Sequence, residues 1–171
     1  MNGMAWVRIL IGAIWLNGAV EKFLNPNFSQ QLSQSLQAGG FVAQAPPFFQ
    51  TFMQNNVVPN AGTVAQLARF GELFLGIALI LGLLTNLAAL GSIAMSVALL
   101  LSQGGVSLGT GLGVPQFLTI NLLVALLSVV VLLSSSAKSP SVDATISRRR
   151  PGLSPLLTNS NRTGNNRRRG Y

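Results

Sequence analysis

Arg69 and Glu72 are the only charges in the apolar stretch from Ala68 to Leu101, ARFGELFLGIALILGLLTNLAALGSIAMSVALLL. A guanidinium and a carboxylate in hydrocarbon are costly unless they pair or face an aqueous cavity, so they are the first place to look for function. Three residues apart on a helix, they can pair directly. One arginine has five donors, so Arg69 can serve Glu21, near the end of an earlier apolar run, as well as Glu72. Asn17, one turn before Glu21, and Asn121, in a later apolar run, add amide groups. Arginine and asparagine donors with a titratable carboxylate beside an apolar slot would suit a polar ring that exchanges protons. The competing reading is a charge-paired network that only fixes helix register. Glu72→Gln separates them: normal folding with lost ligand binding marks a site, and failure to assemble marks a lock.

These groups need rods that cross a membrane. Hydrocarbon about 30 Å thick takes about 20 residues of helix. The long stretch, extended back to about Val64, therefore holds two spans, Val64 to Leu84 and Leu87 to Leu101, with a tight turn at Thr85-Asn86. A first span covers Met4 to Leu24. It lacks the basic n-region and Ala-x-Ala site of a signal peptide. On it Arg8, Trp15 and Lys22 recur every seven residues along one side, with the two bases near opposite ends and able to snorkel to the interfaces. Asn17 and Glu21 lie roughly opposite and, with shorter reach, are expected to face protein. A fourth span, PQFLTINLLVALLSVVVLL, begins at Pro115 and ends near Leu133. The small pairs Ala78 with Gly82 and Ser92 with Ser96 suit close packing.

The connector from Asn25 to Gly62 is polar. Within it Phe48, Phe49, Phe52, Met53 and Val57 fall at helical spacing after Pro47, which suits a first helical position. That pattern fits an interfacial amphipathic helix or a loop helix packed on the bundle's end, and does not distinguish them. Gln103 to Gly113 is Gly-rich but lacks the lysine and the strand-to-helix setting of a phosphate loop. The expected fold class is thus all-α: an integral membrane four-helix bundle over residues 1–136, with a long outer connector, and a disordered basic tail over 137–171.

Composition agrees, with 49% hydrophobic and 8% charged residues in a chain of 171. There is no cysteine and no histidine, which removes disulfides, thiol chemistry, imidazole-ligated haem and the usual zinc ligands. Any redox role must borrow its electron carrier. Most of the net charge of +8 belongs to the tail, with its triplets Arg148, Arg149, Arg150 and Arg167, Arg168, Arg169. A tail so poor in apolar residues does not fold alone. Its bases suit anionic inner-leaflet lipids, and nucleic acid is disfavoured because nothing aromatic is interleaved before Tyr171. Bases after span four place the tail, and with four spans the N-terminus, in the cytoplasm. Asn17, Glu72 and Asn121 then lie roughly 10 Å below the outer end of their spans, with Glu21 and Arg69 shallower.

Three strings together resemble DoxX-like membrane proteins: RILIGAIWLNGAVEKFLNP, the connector ending VVPNAG, and ARFGELFLGIALILGLLTNLAAL. The branch most resembled is DoxD-like, small subunits of a terminal quinol oxidase or thiosulfate:quinone oxidoreductase. The resemblance covers roughly Arg8 to Leu133, and Glu21, Lys22, Arg69, Glu72 and Asn121 match the family's polar positions. It implies a bacterial inner-membrane bundle tied to quinone-linked oxidation of sulfur compounds or to oxidative-stress complexes. Quinone is the implied cofactor, none is expected to be covalent, and partner subunits are implied. After span four the chain departs from the pattern: SSSAKSPSVDA stands where relatives continue to a Gly-Leu-Asp ending, and Lys138 and Asp143 are loose equivalents. Three functions remain in view. One is a quinone-binding or electron-transfer subunit, and another a non-enzymatic scaffold or assembly subunit. A small transporter is the third, disfavoured because no internal repeat or broken-helix pair is present.

Overall fold

A computed structural model describes residues 3–37, 41–102, 116–134 and 142–143. Every regular element among them is helical. The first helix, α1 (Gly3–Leu24), leads into α2 (Phe28–Gln37), the short α3 (Phe41–Gln44) and α4 (Pro47–Phe52). A π-helical turn over Met53–Val57 prolongs α4. Three long helices follow: α5 (Ala61–Leu81), α6 (Thr85–Ser102) and α7 (Gln116–Leu133). By length and composition α1, α5 and α6 can each cross a membrane, and Ile120–Leu133 of α7 is a shorter apolar helix. Pro115 and the Gly-rich loop lie outside the described residues.

Helix α1 packs chiefly on α5 and α6 chiefly on α7, while contacts of α5 with α6 and α1 with α7 close the ring. Glycine sets the closeness of the first pair. A Cβ on Gly76 would lie 2.8 Å from the backbone nitrogen of Leu16, and one on Gly12 would lie 2.9 Å from the carbonyl of Gly76. Backbones this close gain dispersion contacts that a larger residue would forbid. Ile11, Trp15, Leu75, Leu79, Ala88, Ala89, Val124 and Val131 fill the centre. A polar chain crosses it: the Trp15 indole donates to Ser92 Oγ at 2.7 Å, Ser92 and Ser128 share a hydrogen bond of 2.8 Å, and Ser128 donates to the Val124 carbonyl at 2.7 Å. Three helices are thereby joined where no water could satisfy these groups. Ser92, expected to serve close packing alone, is also the middle of this chain.

The turn between α5 and α6 falls at Gly82–Leu84, earlier than expected, and Thr85 and Asn86 already belong to α6 and are buried. Gly82 ends α5 at φ 66°, a left-handed conformation that suits glycine. Leu84 also has positive φ, 50°. Asp143 holds this turn. Its two carboxylate oxygens accept from the backbone N–H groups of Leu84 (2.8 Å) and Thr85 (2.7 Å), and its own N–H donates to the Gly82 carbonyl. A carboxylate at a helix N-terminus satisfies orphan donors and complements the dipole. Asp143, expected in a disordered tail from residue 137, is wholly buried, so the folded body reaches at least that far.

At the other end the connector forms a cap with its own small core of Leu36, Val42, Ala45, Met53 and Ala61, against which Phe49 and Val57 pack. Phe48 and Phe52 point outward. The apolar stripe of the connector helix therefore divides, part packing on the cap and part exposed. The first two turns of α5 rise beyond the end of α1 and pack on α2.

Candidate functional site

Just inside this cap lies a cluster of charge. The register between α1 and α5 is set by the Gly12–Gly76 approach, which brings Gly18 opposite Glu72. A Cβ on Gly18 would stand 2.9 Å from Glu72 Oε2, so glycine leaves the space that the carboxylate occupies. Glu72 is buried and pairs with Lys22, whose Nζ lies 2.8 Å from Oε2 and also donates to the Gly18 carbonyl at 3.4 Å. Gly18 is six residues short of the end of α1, roughly 9 Å along the helix.

Arg69 stands one turn nearer the cap. Its Nη2 donates to the Asn25 carbonyl at 2.8 Å, just past the end of α1. Its guanidinium carbon lies 5.3 Å from the centre of the Phe28 ring and 5.9 Å from that of Phe23. Lys22 Nζ approaches Phe28 as well, at 5.7 Å, so one ring of α2 serves two cations. Phe23 in turn meets Phe70 edge-on at 5.4 Å. Arg69 Nε is buried without a hydrogen-bond partner. Lys22 and Glu72 form an ion pair, and no carboxylate lies within ion-pair distance of Arg69 among the described residues. Glu21 is near enough to act on Glu72 electrostatically, so the neighbourhood holds two bases and two acids, and Arg69 is the base that makes no ion pair in it.

Several expectations need correction. Glu72 pairs with Lys22 of another helix and not with Arg69 three residues away, because Arg69 extends toward the end of α1, where it shares the Asn25 carbonyl with the Phe28 N–H. Lys22 and Arg8 do not snorkel: Lys22 turns inward to Glu72, and Arg8 is 2% exposed. The Asp143 carboxylate acts on Arg8 as a countercharge. The side of α1 bearing Arg8, Trp15 and Lys22 is therefore the packed side. Asn17 and Glu21, expected to face protein, are exposed on the other side. Asn121 is half-buried near the start of α7. Arg148, Arg149, Arg150, Arg167, Arg168 and Arg169 lie outside the described residues. Phe28 was not singled out; its place one turn past the Asn25-Pro26 helix end was the available signal.

Chemically, the cluster offers hydrogen-bond donors, a buried carboxylate and aromatic walls. Among the described residues no group of His, Cys, Asp or Glu could hold a metal ion. No curated protein and no solved structure matches the chain. Residues 4–155 match the family model described as TQO small subunit DoxD. That span is most of the sequence and includes the whole cluster, and the chain therefore belongs to the DoxD family.

Proposed function

We propose that the chain is a four-span membrane subunit of a quinone-linked oxidoreductase acting on sulfur compounds, and that a quinone head group meets it at the Lys22–Glu72–Arg69 cluster. The family description, a small subunit of thiosulfate:quinone oxidoreductase, supports the first part. The residues present fit such a head group. Its carbonyl oxygens need donors, and Arg69 has a buried Nε with no partner. Its ring needs flat apolar walls, and Phe23 and Phe28 flank the guanidinium. A quinone, when bound, accepts two electrons and two protons. Arg69 would orient it, Lys22 would exchange hydrogen bonds between Glu72 and ligand, and the Glu72 carboxylate would hold a proton at Oε2 on its way in. The observation that carries this reading is the buried Arg69 Nε with no hydrogen-bond partner, since a network built only to hold the helices would satisfy its own donors.

The bases after α7 favour a topology with both termini cytoplasmic and the cap outside, in a bacterial inner membrane. The electron donor site then belongs to a partner subunit, because this chain has no cysteine or histidine for a redox centre. The two Arg triplets of the tail would contact anionic lipids, at about 1 kcal/mol per base near the surface. The test is thiosulfate-dependent quinone reduction in membranes containing the chain with its partner polypeptides. Arg69→Gln should assemble and lose about ten- to a hundredfold in rate, the worth of hydrogen bonds to a charged group. Unchanged turnover would remove the proposal.

A second reading, a scaffold subunit, draws on one observation: the Lys22–Glu72 pair bridges the two most closely packed helices. It expects Lys22→Met to abolish assembly while Arg69→Gln leaves turnover intact.

A further inference from the structure

The exposed face of α1 differs from every other exposed face. On α5 from Phe70 onward, on α6 and at the described positions of α7, the exposed side chains are all apolar. On α1 the exposed face carries Asn17 about 10 Å inside the helix end, and Glu21 one turn nearer it. Asn17 makes no hydrogen bond within the chain among the described residues. An amide left in hydrocarbon is costly, and membrane helices satisfy such groups across helix interfaces.

The spacing of that face says what kind of helix would cover it. Trp6, Leu10, Ala13, Asn17, Val20 and Leu24 alternate steps of four and three residues, and all six are exposed. This is an unbroken a/d heptad seam, with Asn17 at an a position, where asparagine fixes register and oligomeric state. Copies of one chain insert in one orientation, so a two-fold axis along the membrane normal sets equal residues of two α1 helices against each other. A carboxamide is self-complementary across such an axis, since each amide N–H2 donates to the other's oxygen. Ala13, one turn away, allows close approach. Glu21 falls at a flanking e position, so the two carboxylates do not meet on the axis.

We propose that two copies of this chain pair in the membrane through a parallel, left-handed crossing of their α1 helices, locked by an Asn17–Asn17 hydrogen bond. This stands independently of the quinone reading. The dimer leaves Lys22, Glu72 and Arg69 on the opposite side of α1, facing α5.

The chain's lack of cysteine makes the test direct. Single substitutions Ala13→Cys and Val20→Cys on the seam, with Leu90→Cys on α6 and Leu126→Cys on α7 as controls, are oxidised in native membranes. The seam positions should yield a species of twice 18.0 kDa at several times the level of the controls. Adding Asn17→Leu to Val20→Cys should lower that yield about tenfold, whereas Asn17→Gln should retain it. Counting bleaching steps of labelled chain in liposomes supplies the second readout: two steps for the native sequence, one for Asn17→Leu at the same dilution. Equal cross-linking at Leu90, absence of the dimer from both seam positions, or cross-linking of α1 only to a different polypeptide would overturn the proposal.

Discussion

Breaking the Lys22–Glu72 pair from either side should not cost the same. The Glu72 side chain is 4% exposed and that of Lys22 24%. Lys22→Met removes the cation and strands a carboxylate that cannot reach solvent. Loss of one partner of a buried pair costs about 3–5 kcal/mol, and the partial exposure of Lys22 argues for the lower figure, about 3 kcal/mol. Glu72→Gln leaves an ammonium on a four-carbon stem beside the Phe28 ring. It keeps its bond to the Gly18 carbonyl and can extend toward the cap end, so the loss should be about 1 kcal/mol. The double variant carries no stranded charge and should resemble Glu72→Gln, a coupling of about 3 kcal/mol. The assay is unfolding of the purified chain in mixed micelles across a denaturing-detergent series, with all four chains compared at one temperature. Equal costs for the two single variants, or a double variant as unstable as their sum, would refute the pairing and the burial on which it rests.

Gly76→Ala should destabilise by about 1–3 kcal/mol in the same assay, because its Cβ would fall 2.8 Å from the backbone of Leu16, which cannot move without moving α1. Trp15→Phe removes one donor from the serine chain but leaves Ser92 and Ser128 bonded to each other. Its cost should be nearer 0.6 kcal/mol, typical of interhelical hydrogen bonds in membranes, plus the lost indole packing. Asp143→Asn should cost about 1–2 kcal/mol, and amide exchange at Leu84 and Thr85 should quicken while that at Ala88 does not. Unaltered exchange at both would show that the carboxylate does not hold the turn.

The long helices were legible because runs of about 20 apolar residues have few alternatives. Which side of α1 faces inward was not. The seven-residue recurrence of Arg8, Trp15 and Lys22 was visible, but the reach of long basic side chains argued for an outward stripe. The hydrogen-bond partners of Trp15 and Lys22, Ser92 and Glu72, are 77 and 50 residues away, and no local rule supplies them. Gly12 and Gly76 carry the decisive information, since they fix the register of the closest helix pair, yet a glycine in a membrane helix is too common to point to its partner. The Arg69–Glu72 pair was the natural local expectation at three-residue spacing. It lost to the Asn25 carbonyl, which no helical N–H four residues on takes up because α1 ends before Pro26. Asp143 was hidden by its neighbours, since a single acid in a Ser-, Pro- and Arg-rich segment has the composition of a solvated tail.

Under the proposed function Arg69, with Lys22 and Glu72 beside it, meets a ligand at the cap end of the helices. A photoreactive short-chain quinone, irradiated with the native chain in liposomes and located by peptide mass spectrometry, tests it without requiring turnover. Labelling should concentrate between Gly18 and Phe28 and between Arg69 and Phe74. Excess unreactive quinone should suppress it, and Arg69→Gln should reduce it about tenfold or more. Labels confined to α6, α7 or the Asp143 end, or labelling of the cap end that is indifferent to both competitor and Arg69→Gln, would contradict it.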